Sequence, residues 1–220
     1  KSVGEVMAIG RKFEEALQKA IRMTNPSLNG LTDVKVSFKN NSDLENKNLE
    51  NKNNPGSLDY ELENPTDKRI YALVKALENG YNVKKLFDMT KIDKWFLYKM
   101  KNIIEINNEL KKDSIDSITP QLLRIAKQHG FSDKQVAKCI LHCENFESEI
   151  KIRDLRKKHS IIPVIKQIDT LAGEFPCKTN YLYLTYNGEY DDVKVDDLGM
   201  RGVIVLGGGA YSIGSSVEFD

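Results

Sequence analysis

Cysteine is scarce in this chain: Cys139, Cys143 and Cys177 are the only three in 220 residues. So low and odd a count argues against the disulfide framework of a small secreted domain. Cys139 and Cys143 are four apart with His142 between them, so on a helix the two thiols share one face. A zinc site needs four ligands in a closed tetrahedral shell, and His129 and His159 stand too far along the chain to complete an obvious one. The cysteines read as small buried apolar residues, and no metal site is expected. Histidine is as rare as cysteine, and none has an evident partner. No Ser/His/Asp or Cys/His triad can be argued, so no catalytic residue is expected.

Long hydrophobic runs are missing too. No 18-residue apolar stretch exists, which excludes a membrane-spanning helix. Charge of one sign is not in excess. A formal net charge of +1 gives no reason to expect nucleic acid or an anionic membrane as partner. The first ten residues lack the basic-then-apolar layout of a secretory leader. The chain opens on Lys1 rather than Met and reads as an excised piece. What remains is a globular balance, 40% hydrophobic and 30% charged, long enough for one or two domains.

Ile9, Phe13, Ala16, Leu17, Ala20 and Ile21 recur at helical spacing, with Glu14 and Glu15 early and Lys19 and Arg22 late. Asn25-Pro26 and Asn29-Gly30 then interrupt the pattern. From about 39 to 56 the chain is rich in Asn, Lys and Glu and poor in apolar side chains. Such a stretch buries too little surface to offset its ordering entropy, and it reads as an inserted flexible loop.

A helical region follows, from about Pro65 to Lys158. Asn64-Pro65-Thr66-Asp67 reads as a capping sequence, and Gly80 as a stop. Asn82, Asp93, Thr119 (with Pro120 behind it), Ser132 and Asn145 read as successive N-caps. The last helix ends in Arg156-Lys157-Lys158, cations suited to a helix C-terminus. Six short helices joined by short loops predict a compact helical domain. After Ile161 the pattern turns extended, at Val164, Ile165 and Ile168, and again at Tyr181 to Tyr186, which Asn187-Gly188 closes. Asp191 to Gly199 is acidic and reads as a linker. Val203 to Leu206 reads as a buried strand entering Gly207-Gly208-Gly209.

That glycine-rich loop is the most enzyme-like feature. Backbone N–H groups there could cradle a phosphate. A dinucleotide loop starting at Gly207 needs glycine where Ser212 stands; a P-loop from Gly209 reaches Gly214 but then meets Ser215 instead of lysine. A tight strand-to-helix turn explains the glycines equally well. Asp88 and Asp93 read as helix caps in preference to metal ligands, and Trp95 with Phe96 as core in preference to a ligand platform.

Several stretches resemble the carbamoyl phosphate synthetase large chain, in matching order. Lys1-Ser-Val-Gly-Glu-Val-Met-Ala-Ile-Gly-Arg11 is similar to the end of its first ATP-grasp half. Ile92-Asp-Lys-Trp-Phe-Leu97 and Gly130-Phe-Ser-Asp-Lys-Gln135 resemble its middle helical domain. Val164-Ile-Lys-Gln-Ile-Asp-Thr170 and Thr179-Asn-Tyr-Leu-Tyr-Leu-Thr-Tyr186 resemble the following connector. Val205-Leu-Gly-Gly-Gly209 and Ile213-Gly-Ser-Ser-Val-Glu-Phe-Asp220 resemble the opening of the second half.

The resemblance implies a mainly α fold: a helical oligomerisation domain with short α/β fragments at both ends. The implied division is 1–22 for the end of the first half, 23–160 for the helical domain, 161–200 for the connector and 201–220 for the start of the second half. It also implies a parent ligase that makes carbamoyl phosphate from bicarbonate, ammonia released from glutamine and two ATP. The parent uses Mg2+ (or Mn2+) and K+; the fragment itself is expected to need no cofactor and to be inactive alone. Implied partners are a second copy and the parent's glutamine amidotransferase. The implied compartment is cytoplasmic, or mitochondrial for a urea-cycle type. Glu5, Ser216 and Glu218 match positions along the family's carbamate passage, which a small side chain at the position of Ser216 keeps open. Many members of that family carry arginine at the position of Ser212, so a ligand contact there is not carried over. A freestanding helical interaction module, or a nucleotide-binding domain using the Gly207 to Gly214 loop, is the alternative.

Overall fold

A computed structural model describes residues 6–24, 27–33, 36–38, 55–168, 181–193 and 203. The described chain is mainly α. Its helices are α1 (Phe13–Thr24), α2 (Leu58–Glu63), α3 (Arg69–Glu78), α4 (Val83–Thr90), α5 (Lys94–Leu110), α6 (Pro120–Gln128), α7 (Asp133–Ile140) and α8 (Phe146–Lys158). One antiparallel pair follows, β1 (Val164–Gln167) with β2 (Leu182–Thr185), in the register Val164 opposite Thr185 and Gln167 opposite Leu182.

Local chemistry sets most helix starts. The side chains of Asn82, Asp93, Ser132 and Asn145 accept the N–H of Lys85 (2.8 Å), Trp95 (2.8 Å), Gln135 (3.0 Å) and Ser148 (2.8 Å). Thr119 accepts from Leu122 N at 3.2 Å, with Pro120 as the first helical residue. Each bond satisfies a donor that the helix cannot. Gly80 and Gly130 end α3 and α6 at φ +83° and +84°, a backbone state that costs glycine little.

The 17-residue α5 is the axis of the fold and packs on α1, α3, α4, α6 and α7. Leu97, Ile103 and Leu110 on α5 are fully buried, as are Ala76 on α3, Leu86 on α4, Leu123 on α6, Val136 on α7 and Ile152 on α8. Each such Leu or Ile contributes roughly 1.5–3 kcal/mol by leaving water. Short helices that are marginal alone are thereby held around one long one.

Four sequence expectations need correction. Helix α2 was not anticipated, and Asn64 to Asp67 does not cap α3. Asn64 caps the end of α2, while the Thr66 hydroxyl donates to Glu61 and accepts from Lys68 N; α3 begins later, behind Lys68, without a side-chain cap. Helix α7 ends at Ile140 and His142 takes a left-handed φ of 52°, so Cys139 and Cys143 do not share a helix. Cys139 is buried and donates to Asn107 Oδ1 at 3.2 Å, and burial pushes its thiol pKa up; Cys143 is only half-buried. Asp93 is a cap but Asp88 is not: it lies exposed inside α4, which Asn82 caps. Trp95 and Phe96 are exposed instead of core, because Leu97 and Met100 take the inward face of α5.

Helix α1 departs from expectation in its character. Its deeply buried residues are Glu14, Glu15, Gln18 and Ile21, a mostly polar face turned into the protein. Such a face is tolerable only where every charge meets partners.

Candidate functional site

Three parts of the chain distant in sequence converge on that polar face: α1 with its lead-in at residues 9–11, the end of α6, and β2 with its following turn. Glu15, 2% exposed, is the hub. Its Oε2 accepts from Arg11 N (2.9 Å), Thr185 Oγ1 (3.0 Å) and Asn187 Nδ2 (3.0 Å), and its Oε1 from Lys19 Nζ (2.9 Å). Burial disfavours the Glu15 carboxylate, but the bonds from Lys19, Arg11 and Thr185 outweigh it and hold its pKa below the ordinary value. Lys19 spends its other two donors on Ile9 O and Leu184 O, both at 2.8 Å. Asn187 Nδ2 also reaches Gln128 O at 2.8 Å, at the end of α6.

One turn along α1, the fully buried Gln18 repeats the device. It donates to His129 O (3.1 Å) and accepts from Leu31 N (3.1 Å) and Gln135 Nε2 (3.1 Å). Gly130 lies so close beneath α1 that a Cβ there would sit 2.8 Å from Glu15 Cα.

A second cluster lies under the connector. Asp133 meets Lys127 Nζ at 2.7 Å and Arg156 Nε at 2.9 Å, all three buried. Lys127 also donates to Phe131 O (2.7 Å), and Arg156 to Ile161 O (3.2 Å). The Tyr186 ring, at the end of β2, lies 5.0 Å from Lys127 Nζ and 5.7 Å from Arg156 Cζ. Burial lowers the Lys127 pKa to about 8 despite Asp133, and raises that of Tyr186 to about 12. Arg156, expected as a plain helix-end cation, is therefore a buried tie between α8, α7 and the connector.

The acidic stretch expected to be a linker braces the sheet where it is described. Asp191 Oδ1 accepts from Ile165 N (2.6 Å), Asp192 Oδ2 from Gln167 N (3.0 Å), and Asp192 Oδ1 from Lys166 Nζ (2.8 Å). These bonds, that from Lys166 foremost, hold the Asp192 carboxyl below its ordinary pKa. They also occupy backbone donors along the edge of β1 that faces away from β2.

Among the described residues, these charges serve structure, and no group of three or more His, Cys, Asp or Glu side chains could hold a metal ion. Glu5, Gly207, Gly208, Gly209, Gly214, Ser216 and Glu218 all lie outside the described residues, as does Cys177. The structure thus forms two clusters that sequence reasoning did not foresee: Glu15 with Lys19, read only as helix-end charges, and Asp133 with Lys127 and Tyr186. Their signal was weak, since Glu and Lys in a helix ordinarily face solvent.

The described residues form a helical body with a β connector tied to it by buried charge. The chain belongs to the family described as carbamoyl-phosphate synthetase large chain, oligomerisation domain, which matches residues 5–160. Over its whole length the chain is 50% identical to the mitochondrial carbamoyl-phosphate synthase [ammonia] of Mus musculus, of which it covers 13%. It is 48% identical to the multifunctional protein CAD of Squalus acanthias, of which it covers 9%. The chain therefore spans about a tenth of the length of these relatives. No helix among the described residues is long and apolar enough to cross a membrane.

Proposed function

We propose that the chain is the central scaffold of a longer carbamoyl-phosphate synthase, holding two catalytic halves at a fixed spacing and taking part in self-association. The observation that carries this reading is the Glu15–Lys19 pair. It fastens the lead-in at Ile9 and Arg11 to the connector at Leu184, Thr185 and Asn187, which lie about 170 residues further on. A chain that only linked two domains would not need buried charge between its entry and its exit.

In this reading the helical domain runs over 23–160, the connector over 161–200, and the flanking pieces belong to the two ATP-using halves. The parent makes carbamoyl phosphate from bicarbonate, two ATP and ammonia from a glutamine amidotransferase. Mg2+ (or Mn2+) and K+ serve those halves, and Glu5, Ser216 and Glu218 line the carbamate route between them. The compartment is cytoplasmic, or mitochondrial in a urea-cycle type. Self-association follows the family description, and sedimentation equilibrium of the chain across micromolar concentrations measures it.

The decisive experiment uses the full-length polypeptide. Glu15→Gln and Lys19→Met should raise the ATP consumed per carbamoyl phosphate formed, because an unstable intermediate escapes when the spacing between halves loosens. Unchanged stoichiometry in both variants would overturn the scaffold reading.

A further inference from the structure

Three asparagines stand directly before glycine, in Asn29-Gly30, Asn79-Gly80 and Asn187-Gly188. Such a pair is chemically fragile. The glycine nitrogen can attack the asparagine side-chain carbonyl, and with no Cβ on the glycine nothing hinders the approach. In a folded protein the reaction also needs a side chain and a backbone that are free to turn. The three sites differ in both.

Asn29 and Asn187 are held. Asn29 is 7% exposed, and its Nδ2 donates to Asp33 Oδ2 (2.8 Å) and Glu144 Oε2 (2.9 Å). Gly30 behind it is so enclosed that a Cβ would sit 2.7 Å from Gln135 Nε2. Asn187 Nδ2 donates to Glu15 Oε2 (3.0 Å) and Gln128 O (2.8 Å), and a Cβ on Gly188 would lie 2.7 Å from Val164 Cγ2. Turning either side chain onto the next nitrogen breaks two hydrogen bonds and moves a backbone that has no room.

Asn79 has neither restraint. Asn79 and Gly80 are both exposed, and among the described residues no hydrogen bond holds the Asn79 side chain. A Cβ on Gly80 would meet nothing within 4 Å. Only the closing turn of α3 holds the pair: Asn79 N donates to Lys75 O (2.9 Å), Gly80 N to Leu77 O (3.1 Å) and Tyr81 N to Ala76 O (2.9 Å). Asn79 has ψ 6°, which turns the Gly80 nitrogen away from its Cβ, so reaction requires this turn to open. Terminal helical turns open at almost no cost.

We propose that Asn79-Gly80 is a site of spontaneous deamidation in the folded protein, and that the fold shields the other two Asn-Gly pairs. The Gly80 nitrogen gives up its proton to hydroxide and bonds to Asn79 Cγ; the Cγ–Nδ2 bond breaks, and ammonia leaves with a proton returned by water. The product is a cyclic imide. Water then opens the ring at either carbonyl. Cleavage of the Cγ–N bond gives aspartate, and cleavage at the backbone carbonyl gives isoaspartate, whose chain runs through Cγ. Either product is ionised at neutral pH and sets a negative charge at the C-terminal end of α3, where the helix dipole disfavours it. Isoaspartate also adds a methylene to the backbone just before Tyr81, whose hydroxyl donates to Asp59 Oδ1 on α2 at 3.0 Å. The modified end of α3 therefore loosens α2.

Peptide mapping by mass spectrometry tests this on the chain held at mildly alkaline pH and body temperature. In the folded chain the peptide containing Asn79 should gain the mass that exchange of NH2 for OH brings, with isoaspartate in excess of aspartate. The peptides containing Asn29 and Asn187 should stay intact over the same time. In urea, where no turn is held, all three should convert at similar rates. An intact Asn79 in the folded chain, or conversion of Asn29 or Asn187 as fast as that of Asn79, would overturn the proposal. The same ranking in urea would overturn it too, because local sequence and not the fold would then set the order. Amide exchange in α2 should be several-fold faster in the chromatographically separated isoaspartate fraction than in fresh protein, with α5 unchanged. Equal exchange in α2 would overturn the coupling of Asn79 to that helix.

Discussion

Lys127 Nζ and Asp133 Oδ1 lie 2.7 Å apart in the interior, on opposite sides of the α6–α7 turn, and Arg156 from α8 closes on the same carboxylate at 2.9 Å. Three helices therefore share one buried negative charge. Removing it leaves two buried cations without their partner. Asp133→Ala should destabilise the chain by about 3–5 kcal/mol, the scale for breaking a buried pair from one side. Denaturant unfolding followed by circular dichroism measures it. A loss under about 1 kcal/mol would mean that water reaches the cluster and screens it.

Glu15 gives a pH dependence with a definite sign. Its folded pKa lies below the ordinary value for a glutamate, so the ionised form is the one that stabilises the fold. That stabilisation is complete above about pH 5 and is lost as pH falls through the folded value. Asp133 and Glu14, also held below their ordinary values, act in the same direction. Glu15→Gln should lower stability at pH 7 and flatten the acid limb of the curve. Denaturation midpoints from pH 7 to pH 3 for both proteins decide it; parallel curves would show that Glu15 titrates alike in the folded and unfolded states.

Lys19 ties the lead-in and the connector through two carbonyls, those of Ile9 and Leu184, both at 2.8 Å. Lys19→Met keeps the stem and deletes three donors. Amide hydrogen exchange should quicken in β1 and β2 while α5 keeps its protection, since the connector can loosen without unfolding the helical body. Uniform acceleration would instead mean that connector and helices unfold as one unit.

The caps at Asn82, Asp93, Thr119, Ser132 and Asn145 were legible because a cap is decided within three residues of its helix. The strands were legible from their β-prone runs. Helix α2 was not, because Leu-Asp-Tyr-Glu-Leu-Glu covers less than two turns and shows no full period. Nor was the polar seam. Glu14 and Glu15 match the charge expected at any helix start, and only the fold brings Thr185 and Asn187 to meet Glu15. Arg156 misled for the same reason: a cation at a helix end is the common solvated case, and its partner Asp133 lies 23 residues back. Trp95 and Phe96 misled in the other direction, since aromatic side chains usually favour the core and here the aliphatic residues of α5 take it.

Gly80 and Gly130 separate backbone strain from close packing. Both end a helix, at nearly equal φ of +83° and +84°, so alanine suffers about the same left-handed strain at either site. Around Gly80 a Cβ would meet nothing within 4 Å; at Gly130 it would meet Glu15 Cα at 2.8 Å and Gln18 Cβ at 3.1 Å. Gly80→Ala should therefore cost only the strain, about 1–2 kcal/mol. Gly130→Ala should cost distinctly more, because α1 must move away from the end of α6. That movement would pull Glu15 from Thr185 and Asn187, so connector amides should exchange faster in Gly130→Ala and stay unchanged in Gly80→Ala. Equal costs for the two variants, with no change in the connector, would mean that α1 has room to shift and that the tight seating of its polar face on Gly130 is not what holds the connector in place.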